Sequence, residues 1–163
     1  MNFSCGDDVV HPKFGVGTVV CIEEMVFSGD GPSVFYRVDF GKTTLWIPVK
    51  IPKSRGIRPV THKRDLARYR SVLKSQPVHL NDNFRKRQVE LEDRMDAGTF
   101  QSLCEVVRDL SARNREKILS NYELTLLRRT REAMDSEWAR ASNLPLVDAA
   151  DEIDALLRKG RQP

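Results

Sequence analysis

Residues 34–40 read Val34-Phe35-Tyr36-Arg37-Val38-Asp39-Phe40, and this stretch is the clearest strand signal in the first part of the chain. Aromatic and β-branched side chains run through it, which is typical of a β-strand. The turn sequences Ser28-Gly29-Asp30-Gly31-Pro32 and Gly41-Lys42 bound it on both sides. A further strand is predicted over residues 43–49. Its Pro48 must lie at a strand end or on a sheet edge, because proline has no N–H for the hydrogen-bond ladder.

Further short strands are predicted on the N-terminal side of this segment. Val9-Val10 leads into a turn sequence with Pro and Gly, after which Thr18-Val19-Val20-Cys21-Ile22 is predicted to be a strand. Met25-Val26-Phe27 is predicted to be the next short strand. Strands spaced roughly ten residues apart with Gly and Pro turns are typical of a small antiparallel barrel or a curled sheet. Residues 1–60 are therefore predicted to form a small β domain.

The rest of the chain, residues 61–163, is predicted to be a compact all-α bundle of about five helices, which makes the fold class α+β with two domains. Pro77 and Pro145 are expected to separate helices, and Gly98 to end one. The expected helices are about 62–74, Asn81 or Asp82 (N-cap) to about Ala97, one from the N-cap Thr99, one from Ser120, and about 146–158.

Two of these helices carry clear sequence signals. Ser120-Asn121-Tyr122-Glu123 matches a capping box, which predicts the start of the fourth helix. The third helix has apolar residues at helical spacing, which predicts one buried face: Phe100, Leu103, Val106, Val107 and Leu110. The fourth helix has a comparable apolar set: Leu124, Leu127, Met134 and Trp138, with Leu126 beside them.

Composition excludes several classes of protein. The chain has 163 residues, 40% of them hydrophobic and 31% charged, which is too apolar for wholesale disorder. No apolar run approaches the roughly 20 residues of a membrane helix. The first eight residues lack the basic region and apolar stretch of a secretory signal. We therefore expect a cytoplasmic protein without a membrane partner.

Catalytic and metal-binding patterns are not found. Cys5, Cys21 and Cys104 show no CxxC spacing, and the histidines are scattered, so neither a metal site nor any cofactor is predicted. Gly15-Val16-Gly17 is a fragment of a GxG pattern, but no helix is predicted after it, which makes it a poor dinucleotide fingerprint. No GxSxG elbow is present. The sequence therefore predicts a protein that is not an enzyme.

Positive charge is concentrated in the middle of the chain. The formal net charge is +4 overall, but it is +1 over residues 1–60, +6 over 61–88 and −3 over 89–163. A local basic segment of this kind favours an anionic partner at that place.

The end of the basic segment combines an aromatic residue with three cations. Phe84 is followed by Arg85, Lys86 and Arg87 at the predicted start of a helix, where the helix dipole disfavours positive charge. Contact with phosphates would account for the cations, and Phe84 could stack on bases or wedge between them. In the alternative interpretation, Phe84 is a hydrophobic staple or core residue and the cations form a solvated face.

Two other segments leave similar alternatives open. Arg128 and Arg129, in the run Arg128-Arg129-Thr130-Arg131, are further candidates for DNA contact, but nearby acidic residues also allow a solvated, ion-paired face. In the β domain, Trp46 and Pro48 together with Met25 and Phe27 could form an exposed apolar edge that docks a partner, or they could be core.

The motifs in both halves resemble those of one family. Residues 6–19, Gly6-Asp7-Asp8-Val9-Val10-His11-Pro12-Lys13-Phe14-Gly15-Val16-Gly17-Thr18-Val19, resemble the opening of the CarD/CdnL transcription regulators. Residues 45–49 resemble the last strand of that family's first domain, and 56–60 its exit. Residues 105–110 (EVVRDL) and 119–123 (LSNYE) resemble its helical motifs. The match covers residues 3–157, and the helical half separates it from the transcription-repair coupling factor, whose polymerase-interacting domain has a similar opening.

The resemblance implies a function for each domain. The first domain, residues 1–60, would be a Tudor/SH3-like small β-barrel that binds the β subunit of bacterial RNA polymerase. Its matching contact positions are Met25, Val26, Phe27, Trp46 and Pro48. Some members carry arginines where this chain has Met25 and Trp46, so an apolar contact would replace a polar one.

The second domain, residues 61–163, would contact promoter DNA at the upstream edge of the transcription bubble. The family has a tryptophan wedge in an N-W-x-R-[RK] context, and this chain has Phe84 there. Phenylalanine keeps a flat apolar wedge but lacks the indole N–H. The resemblance thus implies a monomeric, nucleoid-associated regulator that stabilises the open complex. A polymerase-bound adaptor without DNA contact is the alternative.

Overall fold

The structure is a computed structural model that describes residues 2–26, 31–50 and 57–160. The chain divides into two compact units, Met1–Val60 and Thr61–Pro163, and each is described by itself below. None of the helices in the described ranges is long and apolar enough to cross a membrane.

The first unit is one antiparallel sheet. Its strands are β1 (Asp8–His11), β2 (Gly15–Met25), β3 (Ser33–Asp39), β4 (Thr44–Pro48) and β5 (Arg58–Pro59). They lie in the order β4-β3-β2-β1-β5, so sequential strands are neighbours from β1 to β4. Pro48 is the last residue of an edge strand, which confirms its predicted place.

The prediction of two separate strands over residues 18–27 is wrong. β2 runs without interruption through Glu23 and Glu24, which pair with Phe35 and Val34. Two adjacent acidic residues suggest the end of a strand, but in β2 both continue the hydrogen-bond ladder with β3. Phe27, predicted in the second of these strands, lies outside the described residues.

A β-bulge divides β2 into two parts that face differently. Val19 pairs with Val38, and the next pair is Cys21 with Arg37, so Val20 is the extra residue. Because side chains alternate across a strand, this one-residue shift moves Cys21 to the face opposite Val19. One face of the sheet is the core of the unit: Phe3, Val9, Val19, Tyr36, Val38 and Ile47.

The second unit contains five α-helices in its described part. They are α1 (Leu66–Lys74), α2 (Phe84–Asp96), α3 (Phe100–Glu116), α4 (Asn121–Ser142) and α5 (Leu146–Lys159), with a short 3-10 turn before α1. Together with the sheet they confirm the predicted fold class, a Tudor-like β domain followed by a helical domain.

The helix starts follow the caps in the sequence, with one correction. Thr99 accepts a hydrogen bond from the backbone N–H of Ser102, and the Ser120–Glu123 capping box is present, as predicted. The N-cap of α2 is Asn83 rather than Asn81 or Asp82.

The core of the helical unit lies between α3, α4 and their neighbours. The predicted face of α3 is buried throughout. One apolar cluster centres on Phe100, Met134 and Trp138, and a second on Leu91, Val106, Leu110, Leu119 and Leu126. Leu124 is exposed and Leu126 is buried in its place, because the turn that carries Glu123 inward also turns Leu126 toward α3.

A buried carboxylate joins the chain before α2 to the bundle. Asp109 on α3 accepts hydrogen bonds from the backbone N–H of Val78 (2.9 Å), from Arg94 (2.8 Å) and from Arg108 (2.7 Å). Its charge is thus compensated by two guanidinium groups, as a buried carboxylate requires. This network fixes the segment that leads to the start of α2.

Candidate functional site

Several of the side chains predicted to bind polymerase share one face of the sheet, which we call the outer sheet face. Cys21, Arg37 and Trp46 form one row across β2, β3 and β4, because Cys21 pairs with Arg37 and Arg37 with Trp46. Two residues further along the strands, the next row on the same face is Glu23, Phe35 and Pro48. Met25 follows Glu23 on this face.

Glu23 holds the side chains of this face together. Its Oε2 accepts a hydrogen bond from Nε1 of Trp46 (2.9 Å), and its Oε1 accepts one from Cys21 Sγ (3.0 Å). Arg37 forms an ion pair with the same carboxylate at 3.3 Å. The hydrogen bonds from Cys21 and Trp46, with the Arg37 charge, lower the pKa of Glu23, and the bond to Glu23 raises the pKa of Cys21.

The outer sheet face presents the ring of Trp46 to solvent beside the charged groups of Glu23 and Arg37. Trp46 is 45% exposed and Val26, directly after β2, is 73% exposed. Met25 and Pro48 are half-buried, and Phe35 in the row with Pro48 is buried. This edge was interpreted either as exposed or as core, and the structure shows that Trp46 is exposed. The predicted contact Phe27 lies outside the described residues.

A second surface surrounds the start of α2; we call residues 81–87 the α2 corner. Asn83 accepts a hydrogen bond from the backbone N–H of Lys86 (3.2 Å), and this cap places Phe84 as the first residue of the helix. Phe84 is 43% exposed. Arg85 and Lys86 are exposed, and neither forms an ion pair within the described ranges.

Arg87 differs from its two basic neighbours. It is only 6% exposed, and its Nε donates to Oε1 of Glu123 on α4. Its Nη1 donates to the backbone oxygens of Asn81 (2.6 Å) and Asp82 (3.0 Å). This geometry does not fit the expectation that Arg87 contacts DNA, because the side chain is buried and its Nε and Nη1 groups already donate to acceptors of the protein.

The carboxylate that receives Arg87 belongs to the capping box. Glu123 also accepts hydrogen bonds from the backbone N–H and the hydroxyl of Ser120, both at 2.8 Å. Burial alone would raise the pKa of Glu123, but the hydrogen bonds from Arg87 and Ser120 outweigh it and lower that pKa. Glu123 is therefore held as a carboxylate. Nearby, Lys117 binds Asp82 at 2.7 Å and fixes the same turn.

The basic run on α4 separates into paired and unpaired members. Arg131 forms ion pairs with Asp135 and Asp154, both at 2.7 Å, so its ion-paired interpretation is correct. Arg128 and Arg129 are exposed and form no ion pair within the described part of the chain. Arg128 lines a surface groove of about 520 Å³ together with Leu124, Leu127 and Ser111. It lies five residues beyond Glu123, about 7.5 Å along the helix axis.

Metal chemistry has no support in the described residues. No group of three or more His, Cys, Asp or Glu side chains in these ranges could hold an ion.

Comparison with known proteins agrees with this two-part organisation. Residues 3–61 match the CarD-like/TRCF RID domain, and residues 68–154 match the CarD C-terminal domain. The chain belongs to the CarD/CdnL family of transcription regulators. A curated relative from Bacillus subtilis (strain 168), named "Putative transcription factor YdeB", is 29% identical over 136 residues, which are 83% of this chain and 89% of the relative. A role in transcription follows for this CarD/CdnL protein.

Sequence reasoning missed the residues that organise both surfaces in this family member. Glu23 appears in the sequence only as one of two acidic residues between predicted strands. Arg87 appears as one of three similar cations. The capping box identified Glu123, but its pairing with Arg87 joins residues 36 positions apart, which no local pattern reports.

Proposed function

We propose that this protein binds the β subunit of bacterial RNA polymerase through its outer sheet face and promoter DNA through its α2 corner. By binding the melted promoter better than the closed one, it would shift the population toward the open complex. A preference of about 1–2 kcal/mol would change that ratio roughly five- to thirtyfold. A monomer associated with the nucleoid would suffice for this role.

The observation that carries the proposal is the placement of Phe84. With Asn83 as the cap, Phe84 is the first residue of the helix and not a staple residue, which would precede the cap, and its ring is 43% exposed. The Asn83 cap fixes its position, and Arg85 and Lys86 follow it as exposed cations. An exposed ring with cations beside it suits insertion at a base step, with the cations on phosphates.

Further phosphate contacts are proposed for Arg128 and Arg129 on α4. Both are exposed and without ion pairs in the described ranges, whereas Arg131 is neutralised by two carboxylates. Only a few phosphates could be neutralised in this way. Affinity for free DNA should therefore be weak and salt-sensitive, with the polymerase contact as the anchor.

The outer sheet face supports the proposed polymerase contact. Exposed tryptophan is enriched at the energetic centres of protein interfaces, and Trp46 is held rigid by Glu23. Met25 and Pro48 lie on the same face as Trp46, and Val26, another proposed contact, is exposed directly after β2. Among the described strands β4 is also at the edge of the sheet, where a partner could pair with its backbone groups.

Replacing Phe84 tests the proposal directly. Phe84→Ala should leave capture of the β subunit intact and reduce promoter opening, measured with a fluorescent base in the bubble. Phe84→Trp should retain or increase opening, because it enlarges the wedge and adds an N–H donor. Val89→Ala is the matched control, since Val89 is an exposed apolar residue of the same helix. Unchanged opening in Phe84→Ala would disprove the wedge.

One contact favours the alternative of an adaptor without DNA contact. The guanidinium carbon of Arg87 lies 5.8 Å from the centre of the Phe84 ring, so part of that ring has a structural partner. Footprinting with polymerase separates the two functions. An adaptor would not extend protection upstream, and loss of Arg85 and Lys86 would not change the footprint.

A further inference from the structure

The side chain of Arg87 connects the start of α2 to the start of α4. One donor, Nε, binds Glu123 on α4, while Nη1 binds the two carbonyls of Asn81 and Asp82. Those carbonyls belong to the turn that leads directly into Asn83 and Phe84. A change in Arg87 would therefore release the turn that sets where α2 begins.

The Arg87–Glu123 pair is buried on both sides. The side chain of Arg87 is 7% exposed and that of Glu123 is 2% exposed. Arg113 also lies 3.8 Å from the Glu123 carboxylate, so loss of Glu123 would leave the buried Arg87 without its counter-charge, which strongly favours the paired arrangement. Glu123 cannot shift toward solvent without losing its bonds to Ser120. The acceptor is therefore fixed by the capping box of α4.

Arg87 also touches the proposed wedge. Phe84 and Arg87 are three positions apart on α2 and so lie on the same side of the helix. The guanidinium carbon is 5.8 Å from the ring centre, within the range in which a cation is attracted to an aromatic face. One part of the ring thus contacts Arg87 while another faces solvent.

We propose that Arg87 is a positioning residue: it holds the 81–83 turn and the ring of Phe84 in the orientation that promoter DNA requires, and it does not contact phosphate itself. This inference rests on the proposed function of Phe84. The basic run Arg85-Lys86-Arg87 then contains two kinds of residue, with Arg85 and Lys86 facing solvent and Arg87 facing the bundle.

The orientation of the ring can be measured without DNA. A 4-fluorophenylalanine at position 84 of the full-length protein reports its surroundings by fluorine NMR. Arg87→Lys keeps the charge, but an ammonium cannot reproduce the guanidinium fork that reaches Glu123 and both carbonyls. We expect the resonance to shift or broaden in Arg87→Lys and to stay unchanged in the control Lys86→Gln. An unchanged resonance in Arg87→Lys would overturn the positioning role.

A second variant protects the test against a folding defect. Glu123→Gln changes the α4 member of the same pair and should therefore shift the same fluorine resonance. Both variants should retain the circular dichroism of the wild type. If Arg87→Lys shifts the resonance but Glu123→Gln leaves it unchanged, the pair does not act as a unit and the inference fails.

The effect of Arg87 on function is tested by a double-mutant cycle in the promoter-opening assay. Arg87→Lys and Phe84→Ala should each reduce opening about fivefold, and the double variant should lose no more than Phe84→Ala alone. Additive losses would mean that Arg87 has its own DNA contact, which contradicts the proposal.

The fluorine NMR measurement and the promoter-opening assay together separate this inference from the proposed function. If Phe84→Ala alone leaves opening unchanged, the wedge function is wrong, while the fluorine resonance still decides whether Arg87 positions the ring. If Phe84→Ala reduces opening and Arg87→Lys neither reduces it nor moves the resonance, the wedge function stands and the positioning role is wrong.

Discussion

The indole Nε1 of Trp46 donates a hydrogen bond of 2.9 Å to Oε2 of Glu23, although the two residues lie on strands that are not neighbours. Trp46 is on β4, Glu23 is on β2, and β3 runs between them. The bond satisfies the polar edge of the indole and holds the ring against the sheet. The remaining surface of the ring is exposed and pre-ordered for a partner.

Trp46→Ala should weaken binding of the polymerase β subunit. A pre-ordered exposed tryptophan at an interface contributes about 2 kcal/mol or more, which is roughly thirtyfold in Kd. Trp46→Phe should have a smaller effect, because it keeps an aromatic ring but loses the bond to Glu23. Affinity can be measured by calorimetry with the isolated β fragment.

Val34→Ala is the matched control for that experiment. Val34 is exposed and apolar, but it pairs with Glu24 and so lies on the face opposite Phe35. It should leave the affinity unchanged. Wild-type affinity in Trp46→Ala would show that polymerase binds elsewhere, provided that circular dichroism confirms an intact sheet.

Arg85→Gln and Lys86→Gln should reduce the salt dependence of promoter binding. Each lost phosphate contact lowers the slope of log K against log salt concentration by about 0.9, so the double variant should lose roughly twice that. Arg128→Gln and Arg129→Gln should act in the same direction. A titration of DNA binding from 50 to about 200 mM salt measures the slope.

A surface lysine on another helix is the control for these slopes. Lys74 is exposed at the end of α1. Lys74→Gln removes the same charge from the protein, so it accounts for any general electrostatic effect. If Lys74→Gln lowers the slope as much as Lys86→Gln does, the α2 corner is not a specific phosphate contact.

The helical domain should become less stable as the pH falls, because Glu123 then becomes protonated. Its hydrogen bonds to Arg87 and Ser120 place its pKa in the folded protein below that in the unfolded chain. A carboxyl group of this kind contributes stability that is present above the unfolded pKa, near 4.3, and lost as pH falls through the folded pKa.

Glu123→Gln isolates this contribution. At pH 7 it should lower the free energy of unfolding by roughly 2–3 kcal/mol, because it leaves Arg87 buried without its counter-charge. The difference from the wild type should shrink as the pH falls below about 4.3. Urea unfolding at several pH values measures it, and a constant difference would contradict the assignment.

Gly17→Ala should destabilise the β domain. A Cβ at this position would lie 2.6 Å from Cδ1 of Phe40 and 2.8 Å from the backbone oxygen of Asp39. The ring could turn, but the backbone oxygen cannot move without disturbing β3. We expect a loss of about 1–3 kcal/mol in the free energy of unfolding. Gly31→Ala is the control, since a Cβ there would meet nothing within 4 Å; equal losses would contradict the steric explanation.

Local patterns were enough for most elements of this fold. The Ser120–Glu123 capping box and the Thr99 cap begin their helices where the sequence places them, because a cap depends on residues three positions apart. The N-cap of α2 was predicted one or two residues too early, because Asn81, Asp82 and Asn83 are all acceptable caps. Arg87 decides between them by binding the carbonyls of Asn81 and Asp82, which leaves Asn83 as the cap.

The two-part α+β organisation and the family could be predicted from the sequence alone, since both depend on residue types and their spacing along the chain. It also identified the surroundings of Phe84 as basic. Contacts between distant residues were needed to show which of three adjacent cations face solvent, and that a bulge at Val20 puts Glu23 on the same face as Trp46. Those outcomes depend on partners 23 and 36 positions away, and the burial of a charge is settled by such partners rather than by its neighbours in sequence.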